Sequence, residues 1–188
     1  MIRVTKQEES RASKRIYRVA RIASVIAVLS LMPVLTIIDH TIRGMQLTWL
    51  GVLIGLVIAL CTTLILKNKF PEAYFDQRRT WNMHVCVFVT FLTLVPSVAN
   101  YINHYAANTE ITPQVYKIDE VTEAVSYNNG NSYKVYFLFI YMNNKRERFE
   151  IYKNLFDKLT NGGQVKLYVQ HGALGYDYVK KFEAPDSW

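Results

Sequence analysis

The chain is short of cysteine, of glycosylation sites and, over three long stretches, of any charged residue, and each shortage excludes something. Only Cys61 and Cys86 occur, both inside apolar runs, so there is no disulfide framework and cysteine usage says nothing about redox compartment. No Asn-x-Ser/Thr acceptor is present, which is in keeping with a bacterial source. Residues 22–38, 47–66 and 85–102 contain no Asp, Glu, Lys or Arg. Ion- and proton-coupled transporters leave ionisable groups inside the membrane, whereas these stretches offer only Ser, Thr, Cys and Asn100, with His84 at a margin. That pattern argues against a coupled transporter. There is no His-x-x-x-His, and Gly172 and Gly175 lack the longer glycine pattern and the lysine of a phosphate loop. No cofactor, metal or catalytic residue is expected.

What the three uncharged stretches do supply is length. A helix needs about 20 apolar residues, and no fewer than roughly 17, to cross a hydrocarbon core about 30 Å thick. The stretches have 17, 20 and 18 residues, so each is long enough. A soluble domain of this size has no interior in which to bury all three. Aromatic residues mark their margins: Trp49 near one end of the second, Trp81 before the third, and Tyr101 and Tyr105 at its far end. Such rings favour the headgroup level, apolar body inward and polar tip outward.

The basic excess lies beside these runs. Residues 1–21 carry seven Lys/Arg against two Glu, and residues 67–82 carry four against two. The loop 39–46 has Arg43 balanced by Asp39, and residues 103–188 are neutral, with ten of each sign. Nucleic-acid binding is therefore a poor explanation of the net charge of +7. Basic residues gather in the cytoplasmic loops of membrane proteins. The expected topology is a cytoplasmic basic tail (1–21), three spans (22–102), and a C-terminal domain outside the cytoplasm. A cleavable signal peptide is the competing reading of the N-terminus. The first run exceeds the usual 7–15 residues, and no small-x-small site precedes Asp39.

Within the second run Gly51, Gly55, Ala59 and Thr63 fall at every fourth position, which puts a small residue on one helix face turn after turn. Packing inside a three-helix bundle is the plain explanation; a seam for self-association is the sharper one. Pro33 and Pro96 each remove a backbone donor inside a span.

After a linker, 103–113, ended by Pro113, the texture changes to β. Residues 115–127 are β-prone and stop at Asn128-Asn129-Gly130-Asn131, whose Asn-Gly pair suits a tight hairpin. Residues 133–142 (YKVYFLFIYM) are apolar on both alternating faces, the pattern of a central strand covered on both sides. Asn143-Asn144 turns into a third strand at 146–151; residues 152–159 have helical spacing and end at Gly162-Gly163. Val165, Leu167 and Val169 alternate in a further strand, and 176–182 form the last. The expected β domain (114–183) is thus antiparallel, barrel-like or an open sheet, with four to six strands and one short helix. Closure is favoured because it removes edges.

The run RFEIYKNLFDKLTNGGQVKLYVQHGALGYDYV resembles a pattern in uncharacterised bacterial membrane proteins: N-terminal spans, a hairpin, a helical step, a valine-rich strand and a Gly-x-x-Gly turn. Tyr152, Leu159, Gly162, Val165, Val169, Gly172 and Gly175 carry the likeness, which covers the C-terminal third. It implies a bacterial envelope location and a fold; these positions are structural, and no activity transfers with them.

Histidines and tyrosines are the remaining candidates. His84 and His104 are twenty residues apart on one helix, about 30 Å, too far to share an ion. His40 and His104 fall at the same membrane face and are the pair able to converge, with Asp39 adjacent. Glu147, Glu150, Asp119, Glu120 and Glu123 read as ordinary strand-exterior charges. Eleven of the thirteen tyrosines lie beyond residue 100. Tyr176 and Tyr178 share a strand face beside His171 and the glycine turn, and these three residues form the candidate partner-binding surface. The function these observations favour is a non-enzymatic inner-membrane protein. Its β domain would bind another envelope protein, as an accessory subunit or toxin-immunity protein. An oligomeric pore or transporter component is the alternative.

Overall fold

The computed structural model describes residues 11–71, 77–107, 109–128, 131–142 and 144–184. Its backbone divides into two compact units, one of residues 1–34 and 48–98, the other of residues 35–47 and 99–188.

The first unit is helical. It contains most of α1 (Arg11–His40), α2 (Gly44–Lys69) and α3 (Gln77–Tyr105). With 30, 26 and 29 residues these helices run about 39–45 Å at 1.5 Å per residue, longer than the hydrocarbon core alone. All three are long and apolar enough to cross a membrane, and at most 28% of any span is buried inside the protein. The large apolar residues point outward: Leu29, Leu53 and Leu64 are all more than half exposed. Small residues, among them Ala27, Ala59 and Ser97, are fully buried in the interior, beside Val34 and Met83. This is the reverse of a water-soluble bundle and suits a lipid solvent, in which leucine gains nothing by turning inward. Hydroxyls on α3 bond within the helix: Thr90, Thr93 and Ser97 donate to the carbonyls of Cys86, Val89 and Thr93, each at 2.7 Å. Their polar atoms are thereby satisfied without water.

The second unit is a five-stranded antiparallel sheet with the ends of the three helices and the α1–α2 turn. The strands are β1 (Ile111–Asn128), β2 (Asn131–Met142), β3 (Lys145–Ile151), β4 (Gln164–Gln170) and β5 (Tyr178–Glu183), in the order β3-β2-β1-β4-β5. A one-turn helix, α4 (Lys153–Phe156), lies between β3 and β4. The helical membrane domain, the antiparallel strands and the single short helix are as the sequence leads one to expect. The preference for a closed barrel is not: the sheet is open. Only residues 106–110 separate α3 from β1, so the linker is shorter than 103–113. Pro113 lies within β1, opposite Tyr168, in a half-strand that pairs on one side only, where a missing donor is tolerated.

The reason for the open sheet is β1 itself. It spans 18 residues, and its two halves have different partners. Residues 111–117 pair with β4 and residues 118–128 with β2, the register shifting between Ile118 and Glu120. A bulge at this point bends the strand, and two ladders joined through β1 wrap one core. Ile118, Leu138, Ile140, Phe149, Val165, Leu167 and Val179 fill it. Phe149 of β3 meets Phe182 of β5 with ring centroids 5.5 Å apart. Side chains, rather than ladder bonds, bring the two outer strands together. The β1–β2 hairpin pairs Asn128 with Asn131; the Asn129-Gly130 corner lies outside the described residues. At the next turn Asn144 takes φ 61°, a left-handed conformation that asparagine tolerates well.

Candidate functional site

The α1–α2 turn joins the β domain along β5. The Ile42 amide donates to the Asp177 carbonyl at 2.8 Å, Thr41 forms an antiparallel bridge with Tyr178, and the Ile42 side chain packs on the core. The Arg43 amide donates to a Glu147 carboxylate oxygen at 3.3 Å. From α3, Asn103 holds the turn before β5: its Nδ2 donates to the Tyr176 carbonyl at 2.7 Å, and its Oδ1 accepts from the Leu174 amide at 3.0 Å.

This arrangement brings His40 and His104 together on one ring. Tyr178 has its centroid 4.2 Å from His104 and 6.0 Å from His40. The Lys180 ammonium lies 5.0 Å from the Tyr178 ring centre. Tyr105 packs edge-on against His104 at 4.7 Å and stacks with Tyr101 at 5.7 Å. His40 Nδ1 faces the Thr36 carbonyl at 3.0 Å, and His104 Nδ1 is buried with no hydrogen-bond partner. Burial, and then Tyr105, raise the Tyr178 phenol above its usual pKa, so it is neutral at physiological pH. The cluster is a packed aromatic joint. Among the described residues no three His, Cys, Asp or Glu side chains are grouped to hold a metal.

The three residues expected to form a partner surface have different environments. Tyr178 is half-buried in the aromatic joint, and Tyr176 is half-buried with its carbonyl taken by Asn103. His171 is exposed, its Nδ1 2.5 Å from Asp177 Oδ1. Of the expected interfacial aromatics, Trp49 is exposed on α2, Tyr105 is exposed and Tyr101 half-buried, while the Trp81 side chain lies outside the described residues. Gly51, Gly55, Ala59 and Thr63 are all buried. A Cβ on Gly51 would stand 2.6 Å from Pro96 Cα, and one on Gly55 would strike the Phe91 carbonyl. At these two glycines the face is filled by α3 of the same chain.

The more open surface is one that the sequence pattern conceals. β2 is covered on one face only: Leu138, Ile140 and Met142 enter the core, while Tyr133, Val135, Phe137, Phe139 and Tyr141 face away from it. Two arginines of β3 partly shield this outer row. The Arg146 guanidinium lies 4.2 Å from the Phe139 ring centre and that of Arg148 lies 4.9 Å from Phe137. Arg146 is itself held by Asp119, at 2.7 Å, and by Glu120. Tyr133 and Tyr141, at the two ends, remain 51% and 57% exposed. Beside Tyr141 and the β1 bulge is an open cavity of about 420 Å³, lined also by Lys117, Asp119 and Gly162. In the sequence the row is Tyr-x-Val-x-Phe-x-Phe-x-Tyr, followed across a turn by Arg146 and Arg148. With both faces of the strand apolar, the sequence reads instead as doubly covered.

Fold and site define a class: a protein with three helices of membrane-spanning length and a small, open antiparallel β domain bearing an outward aromatic–arginine face. A scan of family models and a search of curated proteins find no match to this chain.

Proposed function

We propose that this is a non-enzymatic inner-membrane protein of a bacterial envelope. In this reading the N-terminus is cytoplasmic, and the β domain, outside the cytoplasm, binds another protein as an accessory subunit or toxin-immunity factor. The observation that carries the binding reading is the outward row of β2. Tyrosine, phenylalanine and arginine are enriched at protein interfaces: the aromatic rings bury much area, and the guanidinium both hydrogen-bonds and stacks. Here they lie in one line, with two guanidiniums already positioned over rings. This face replaces Tyr176, Tyr178 and His171 as the preferred docking surface, since Tyr178 serves the aromatic joint. The orientation rests on the basic residues of 1–21, ahead of the first uncharged run, and of 67–82, between the second and third. The bacterial assignment rests on the sequence resemblance.

The test is purification of full-length protein from its native membranes in mild detergent, beside a Tyr141→Ala/Arg146→Ala variant. A stoichiometric second protein that accompanies the wild type and is lost, at least tenfold, from a normally folded variant is the expected result. Retention of that protein by the variant moves the interface off β2. Recovery of the wild type alone, in a discrete oligomer, favours the pore reading.

A further inference from the structure

Along the N-terminal half of α1 an open hollow of about 570 Å³ is lined by Lys14, Tyr17, Arg18 and Arg21, and then by Ile22, Val25 and Ile26. Spacings of four, three and four put Lys14, Arg18, Arg21 and Val25 on one face of the helix. Along that face the chemistry changes once, from cationic to apolar, at the start of the uncharged run. Arg18 and Arg21 are about 4.5 Å apart along the axis, within a headgroup layer of roughly 5–8 Å per leaflet. Both arginines are exposed, and neither is ion-paired among the described residues. The Arg21 guanidinium stands 6.0 Å from the Tyr17 ring centre, and so leans back along the helix toward the hollow's polar end. No Asp or Glu occurs between Arg11 and Ile38 to compete for these cations.

We infer that this hollow binds one anionic glycerophospholipid, its phosphodiester on Arg18 and Arg21 and an acyl chain along Ile22 and Val25. The order of groups in the hollow, cations then alkyl surface, is the order of groups in such a lipid. A guanidinium fork also suits a phosphate oxygen pair better than a point charge does. Generic attraction of a basic segment to a charged membrane surface requires no alkyl surface in line with the cations. The assignment is independent of what the β domain binds.

The experiment is native mass spectrometry and thermal shift of the full-length protein in neutral detergent, with phosphatidylglycerol, phosphatidylcholine or inorganic phosphate added. Phosphatidylglycerol is expected to bind one-to-one and raise the melting temperature, at least tenfold more tightly than phosphatidylcholine. Arg18→Gln/Arg21→Gln should abolish that preference. Equal binding of the two lipids overturns headgroup recognition, and an equal response to inorganic phosphate overturns the lipid assignment. Should the glutamine variant fail to insert, Arg18→Lys/Arg21→Lys keeps the charge. A severalfold loss is expected there, and unchanged affinity overturns the role of the guanidinium forks.

Discussion

The side chain of Asn103, near the end of α3, occupies the space that a Cβ on Gly172 would need: such an atom would stand 2.6 Å from Asn103 Nδ2 and would also strike the Tyr176 carbonyl. Asn103 is buried, with 1% of its surface exposed, and its amide group bonds to the turn in both directions. Its own carbonyl accepts from the Ala173 amide at 3.1 Å. One residue thus fixes the turn before β5, and glycine at 172 is what permits the approach.

Two substitutions test this. Asn103→Ala leaves the Tyr176 carbonyl and the Leu174 amide without partners, at a cost of about 2–3 kcal/mol. Gly172→Ala overpacks the same contact, at about 1–3 kcal/mol. Hydrogen exchange of the amides at 172–178 should accelerate about tenfold or more in both variants. Unchanged protection in Asn103→Ala would show that the turn holds itself.

The helices offer a comparison of opposite kind. Gly51→Ala drives a methyl group toward Pro96 and should destabilise the bundle by about 1–3 kcal/mol in a steric-trap or detergent-titration measurement. Leu53, two residues along, is 59% exposed, and in lipid its truncation forfeits almost no transfer free energy. Leu53→Ala should therefore change stability by less than about 0.5 kcal/mol. A larger cost for Leu53 would mean that a partner helix covers it.

Glu183 gives the pH dependence. Its carboxylate accepts from Lys181 Nζ at 2.5 Å and from the Tyr168 hydroxyl at 2.8 Å. The Lys181 bond first, then that of Tyr168, lowers its pKa below the ordinary 4.5. A carboxylate depressed on folding stabilises the protein fully above its unfolded value and loses that contribution as pH falls through the lower folded value. Melting temperature should accordingly decline as pH drops below about 4.5, and Glu183→Gln should flatten that limb. An identical acid limb in the variant would assign it to other carboxylates.

Much of the architecture is visible in the chain. The three spans are legible because membrane transfer is nearly additive per residue: a run such as 47–66 needs no knowledge of its neighbours. The β2–β3 turn and the halt at Gly162-Gly163 are legible because left-handed backbone restricts residue choice; Asn144 and Gly162 both adopt positive φ. The outward row of β2 is not legible, for the converse reason. Phe137 and Phe139 look like core residues in sequence, and only the placement of Arg146 and Arg148 shows what covers them. The sequence allows several placements of His40 and His104, and it is the packing of both against Tyr178 that selects one.

The sequence by itself therefore determined which segments suit a membrane, where the chain becomes β, and where it turns, since these follow from local hydropathy, period and backbone restriction. Tertiary structure alone decided that β1 changes partners at Ile118 and leaves the sheet open, and that the α1–α2 turn joins β5. It also decided that Asn103 pins the turn at Gly172. Those outcomes depend on contacts between residues far apart in the chain, such as Thr41 and Tyr178, 137 positions apart. Their free energy exists only once the chain has closed on itself.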